Sequence, residues 1–123
     1  MTEEERKEVL IKAIETYGEE NQFRMAIEEM AELTKAICKL ERAETVAERD
    51  MAVGNVIEEI GDVQIMLDQL RIIVKNNAKA VEDVKLKRLV GRIKRENLKK
   101  AIWRTELIDN YARQKEKEER ANE

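Results

Sequence analysis

An all-α fold is what this sequence predicts, and three observations predict it. Apolar residues recur at spacings of three and four along most of the chain, the period of an amphipathic helix. Proline is absent and glycine occurs four times, so little interrupts a helical run. Hydrophobic residues make up 42% of the chain and charged residues 41%, a pairing that fits helices with one apolar stripe and a charged outer face. A length of 123 residues sets one main core, and with few aromatics that core must be built from Ile, Leu, Val and Met.

The first helix is expected over residues 3–17. Val9, Leu10, Ala13, Ile14 and Tyr17 form its stripe, and Glu3, Glu4 and Glu5 lie where the helix dipole favours acid. Gly18 suits the left-handed position that ends it. A second helix follows over about 20–43, with Phe23, Ala26, Ile27, Met30, Leu33, Ile37 and Leu40 on one face and Cys38 on the opposite side. Residues 43–54 read as a connection with room for a helical turn at Val46–Met51. Asn55 and Glu58 then make an N-cap arrangement for a third helix reaching Lys75. Its core stripe is Val56, Ile60, Val63, Leu67, Leu70 and Val74. Ile65 and Ile72 lie off that stripe, and a second apolar side points to a subunit interface.

Asn76-Asn77 is expected to break the chain before a fourth helix that starts near Ala78. Leu86, Leu89, Val90 and Ile93 form its apolar face, with Lys85, Arg88 and Arg92 projecting together beside it. Beyond Glu96 the pattern is less regular but keeps Leu98, Ile102, Trp103, Leu107, Ile108 and Tyr111. Residues 114–123 carry almost nothing apolar and should fray.

A formal net charge of −3 does not favour non-specific nucleic-acid or acidic-membrane binding. The acidic N-terminus and the lack of a long apolar run argue against a secretory signal or membrane span, and the single Cys38 suits a reducing cytoplasm. Histidine is absent, which removes His-based triads and mixed His-carboxylate metal sites.

Two heptapeptides carry the chemistry. Ile27-Glu28-Glu29-Met30-Ala31-Glu32-Leu33 and Ile57-Glu58-Glu59-Ile60-Gly61-Asp62-Val63 share one pattern, thirty residues apart. On a helix, Glu29 and Glu32 sit about 60° apart on adjoining turns, as do Glu59 and Asp62. If the two helices pack together, four carboxylates converge, and they cannot stay charged in a dry interior without cations. All-oxygen ligation selects Mg²⁺, or Mn²⁺ in its place, and Mg²⁺ usually shares its shell with water and substrate phosphates. A polyphosphate substrate follows, with Lys85, Arg88 and Arg92 available to offset its charge.

These residues resemble the MazG-like, all-α nucleoside triphosphate pyrophosphohydrolases. The likeness rests on Glu-x-x-Glu at Glu29/Glu32 and Glu-x-x-Asp at Glu59/Asp62, with twenty-six residues between the pairs. It extends to Tyr17-Gly18-Glu19-Glu20-Asn21-Gln22 and to Lys85-Leu86-Lys87-Arg88-Leu89, as in short phage-type or Gram-positive members, and covers about residues 5–95. It implies a four-helix MazG-like bundle over 1–95; residues 96–123, longer than the short members need, read as a C-terminal helical extension with a frayed charged tail and take no role from the resemblance. It implies Mg²⁺ held by Glu29, Glu32, Glu59 and Asp62, and a homo-oligomer, dimer or tetramer. The implied reaction is hydrolysis of an NTP or dNTP to the monophosphate and pyrophosphate, a house-cleaning activity of the cytoplasm. Glu28 is a candidate outer-shell base. The alternatives are a non-catalytic charged helical interaction module and a sensor that binds nucleotide without turning it over.

Overall fold

The computed structural model describes residues 1–75 and 78–122. Its regular structure is wholly helical: α1 Glu3–Tyr17, α2 Glu19–Glu41, α3 Val46–Val74 and α4 Ala78–Ala121, with no strand among the described residues. Contacts divide the chain into two units, Met1–Asn77 and Ala78–Glu123. The break expected at Asn76-Asn77 lies outside the described residues.

Local chemistry sets the first joints. The Thr2 hydroxyl accepts from the Glu5 N–H at 3.1 Å while the Thr2 N–H donates to Glu5 Oε2 at 2.9 Å, a reciprocal cap on α1. At the other end Gly18 adopts φ +88°, a conformation that a Cβ disfavours. Its N–H donates to the Ile14 carbonyl at 2.8 Å, and its own carbonyl accepts from the Gln22 N–H at 3.1 Å. One residue therefore ends α1 and starts α2.

Helices α2 and α3 form an extensively packed hairpin against which α1 lies. The pair is antiparallel: Gln22 near the start of α2 hydrogen-bonds Gln69 late in α3, and Glu29, further along α2, meets Glu59 and Asp62, about two to three turns before Gln69. The buried or half-buried seam of α2 is Gln22, Ala26, Glu29, Leu33, Ala36 and Leu40, and that of α3 is Ala52, Val56, Glu59, Val63, Met66 and Leu70. Each α3 residue lies thirty after its α2 counterpart, and both seams step by four and three as in a coiled coil. Small residues at Ala26, Ala36 and Ala52 let the helices approach closely, and Ala26 is only 2% exposed.

The stripes read from the sequence are therefore corrected. Of the expected α2 face, Ala26 is buried and Leu33 and Leu40 half-buried, but Phe23, Ile27, Met30 and Ile37 are exposed. On α3, Val63 is buried and Val56 and Leu70 half-buried, whereas Ile60, Leu67 and Val74 are exposed. Apolar side chains at the fringe of each seam were enough to bias the reading, because the seam itself carries Gln and Glu. Ile72 is half-buried and shares a surface recess with Arg6 and Leu10 of α1, so α1 accounts for the second apolar side there. Arg6 also forms an ion pair with Asp68, which ties α1 to α3.

Helix α3 starts at Val46, nine residues before the expected Asn55. The Thr45 hydroxyl accepts from the Glu48 N–H at 3.1 Å, and Glu48 Oε2 accepts from the Glu44 N–H at 2.9 Å. Gly54 and Asn55 lie inside the helix, because one interior glycine costs only about 1 kcal/mol against the packing of Ala52 and Val56 on α2. Helix α4 is continuous from Ala78 to Ala121, with no break near Glu96, and the fraying expected over 114–123 gives way to helix as far as Ala121. None of its described residues is buried, and at 44 residues it is about 66 Å long.

The position of the α3 cap is testable by thermal or urea unfolding. Thr45→Ala should cost about 1 kcal/mol, the usual loss for a removed N-cap. Asn55→Ala should be neutral or slightly stabilising, since alanine is the better interior helix residue. The reverse ranking would restore the later start.

Candidate metal centre

The heptad seam places two carboxylates where a coiled coil would carry apolar side chains. Glu29 on α2 and Glu59 on α3 are both half-buried, and Asp62 one turn further along α3 is exposed. One carboxylate oxygen from each of the three lies within 4.8 Å of the other two. Glu59 Oε2 is buried and accepts no hydrogen bond among the described residues. Three of the four acids expected from the sequence thus converge. Glu32 is exposed and stands outside that group, yet close enough for its charge to act on both glutamates.

Crowding shows in the acid strengths. Partial burial holds the Glu29 carboxyl above its ordinary range, and the charges of Asp62, Glu59, Glu32 and Glu28 add to the effect in that order. Burial likewise raises Glu59, followed by Asp62, Glu32 and Glu58. No cation from the protein is paired with Glu29, Glu59 or Asp62 among the described residues.

A concavity of about 470 Å³ adjoins the acids, lined by Tyr17, Asn21, Gln22, Arg24, Met25, Glu28 and Met66. Met25 and Glu28 flank the turn of α2 that carries Glu29, and Met66 follows Asp62 by one turn. Gln22 is 5% exposed, and its amide nitrogen donates to Gln69 Oε1. The Asn21 amide nitrogen donates to the Tyr17 carbonyl at 2.8 Å. Of these, Glu28 was a candidate base and Tyr17, Asn21 and Gln22 lay in the stretch that carries the resemblance, whereas Arg24, Met25 and Met66 had no signal. Gln69 and Met66 could be found only through the thirty-residue repeat, as partners of Lys39 and Ala36.

Lys85, Arg88 and Arg92 lie together on one face of α4 as the spacing requires, and with Gly91 and Arg95 they line a shallow groove along that helix. They belong to the second unit, which is described by itself. Glu58 caps nothing, because the helix runs through it, and Cys38 is exposed and unpaired.

Comparisons of the chain with protein-family models, with characterised proteins and with solved structures find no match. No helix among the described residues is long and apolar enough to cross a membrane.

Ionising Glu59 works against folding in the metal-free protein, since its folded-state value is raised. The stability due to its neutral form is present below the unfolded value of about 4.3 and is lost as pH rises through the folded one. Glu59→Gln removes that loss. In chelator, melting curves should show the variant gaining on the natural chain between pH 4 and pH 7. A constant difference across that range would contradict the crowding.

Proposed function

We propose that this chain is a Mg²⁺-dependent hydrolase that splits a nucleoside triphosphate into the monophosphate and pyrophosphate. The observation that carries the reading is the convergence of Glu29, Glu59 and Asp62 from two helices, with one glutamate oxygen buried and unpartnered. The donor set fits a hard divalent ion, being all carboxylate oxygen with no His or Cys nearby. It also explains why like charges are held together in a seam, an arrangement that is otherwise destabilising.

When bound, the ion would act as a Lewis acid on the phosphate oxygens and acidify water at the α-phosphorus. Glu29, Glu59 and Asp62 would hold it, with Glu32 at the edge of the set. The attacking water adds its oxygen to the α-phosphorus as the bridging bond to the β-phosphate breaks, and pyrophosphate leaves. Glu28 lines the neighbouring concavity and is the candidate to take the water's proton. That concavity has the size of a small-molecule site, with Tyr17 and two methionines to pack a base and with Asn21 and Gln22 to hydrogen-bond its edge.

Two measurements test this reading. Incubated with Mg²⁺ and a panel of NTPs and dNTPs, the protein should release pyrophosphate and little orthophosphate, and Glu59→Gln should abolish release while remaining helical. Release of orthophosphate alone would mean that another bond is cut. Separately, millimolar Mg²⁺ should raise the melting temperature of the natural chain by mass action, and Asp62→Ala should lose most of that rise. A protein whose melting ignores Mg²⁺ and Mn²⁺ would favour the interaction module.

A further inference from the structure

The overall charge of −3 averages over a sharply divided chain. Residues 85–104 of α4 hold nine of the twenty-four Lys and Arg against a single acid, Glu96. Because α4 runs unbroken from Ala78 to Ala121, these cations keep one helical register. Lys85, Arg88, Arg92, Arg95 and Lys99 step by three, four, three and four, which makes a line about 21 Å long on one side of the helix. The next step of four reaches Trp103, the one tryptophan of the chain, which is 61% exposed.

Gly91 sits beside the middle of that line. The surface neighbours of a helical residue are those three and four away, and here all four are cations: Lys87, Arg88, Lys94 and Arg95. Gly91 has no side chain to fill the ring, and no side chain beyond its chain neighbours comes within 4 Å of where a Cβ would stand. A groove of about 550 Å³ opens there, lined by Lys85, Arg88, Gly91, Arg92 and Arg95. None of those four cations is paired with an acid among the described residues. Lys99 meets Glu96 at 3.5 Å, in an exposed pair that water and salt weaken.

We propose that this side of α4 binds single-stranded nucleic acid, with backbone phosphates along the cationic line and a base stacked on Trp103. A line of charges suits a linear polyanion, and the forks of Arg88, Arg92 and Arg95 can each grip a phosphate through two N–H groups. An exposed aromatic at the end of a basic track completes the fit, because every unpaired base offers a face to stack. A duplex keeps its bases stacked on one another and has none to offer Trp103. An acidic membrane fits less well. The apolar side of this segment, Leu86, Leu89, Val90 and Ile93, lasts about two turns before Asn97, Lys100 and Arg104 take over that side. The proposal rests on α4 alone and stands apart from the hydrolase reading, whose acids lie on α2 and α3.

Trp103 is its own reporter. With EDTA present, so that no metal-dependent hydrolysis intervenes, an oligothymidylate of about twenty nucleotides should quench its emission, and a fluorescein-labelled copy should gain anisotropy. Roughly four neutralised phosphates on a single strand predict about a sevenfold loss of affinity for each doubling of salt. Arg88→Ala with Arg95→Ala should weaken binding at least about tenfold and flatten that dependence. Gly91→Glu sets a carboxylate inside the ring on a helix that gains from losing a glycine, so binding should vanish while helicity by circular dichroism is kept. Lys115→Ala with Lys117→Ala, outside the line, should bind as the natural chain does. No quenching and no anisotropy gain, binding indifferent to salt, or a Gly91→Glu variant that binds normally would each overturn the proposal. So would a duplex of the same length bound as tightly, or phosphatidylglycerol vesicles that shift Trp103 emission where the oligonucleotide does not.

Discussion

Packing α2 on α3 requires two carboxylates to enter a seam that has no cation of its own. Glu29 and Glu59 hold heptad positions flanked by Ala26, Leu33, Val56 and Val63, and both are half-buried there. Their acidity is weakened by burial and by each other's neighbours. Desolvated like charges of this kind are usually removed or paired, and a bound cation converts the same crowding into affinity. The hairpin, the joint at Gly18 and the tie from Arg6 to Asp68 all serve to hold those oxygens in place.

Much of this was legible in the sequence. Helical periodicity gave the all-α class and α1 to the residue, because the acids Glu3, Glu4 and Glu5 and the terminating Gly18 are local signals that tertiary context did not override. The paired acids were legible because they occur twice in one pattern, and three of the four met as expected. The start of α3 was not. Gly54-Asn55 looks like a boundary to local rules, and only the packing of Ala52 on the partner helix carries the helix through it. The inner face was misread for a related reason: hydrophobicity marks Phe23, Ile27 and Ile60, whereas the seam follows Gln22, Glu29 and Glu59. The sequence could show which residues are apolar, but not which of two adjacent apolar lines meets which helix.

A seam rich in Ala, Gln and Glu gives close approach but buries little apolar area, so the hairpin alone is thinly stabilised.

The one-sided position of α1 has a consequence for the acids. By repeat, Glu32 and Asp62 are equivalent, yet Asp62 is drawn into the cluster and Glu32 is left out. The two ends of the hairpin differ as well, since α1 docks at one of them. There Gln22 pairs with Gln69, while the repeat equivalents at the far end, Ala52 and Lys39, make no such pair. The repeated pattern therefore has polarity: any elongated ligand laid along the carboxylates meets a head and a tail.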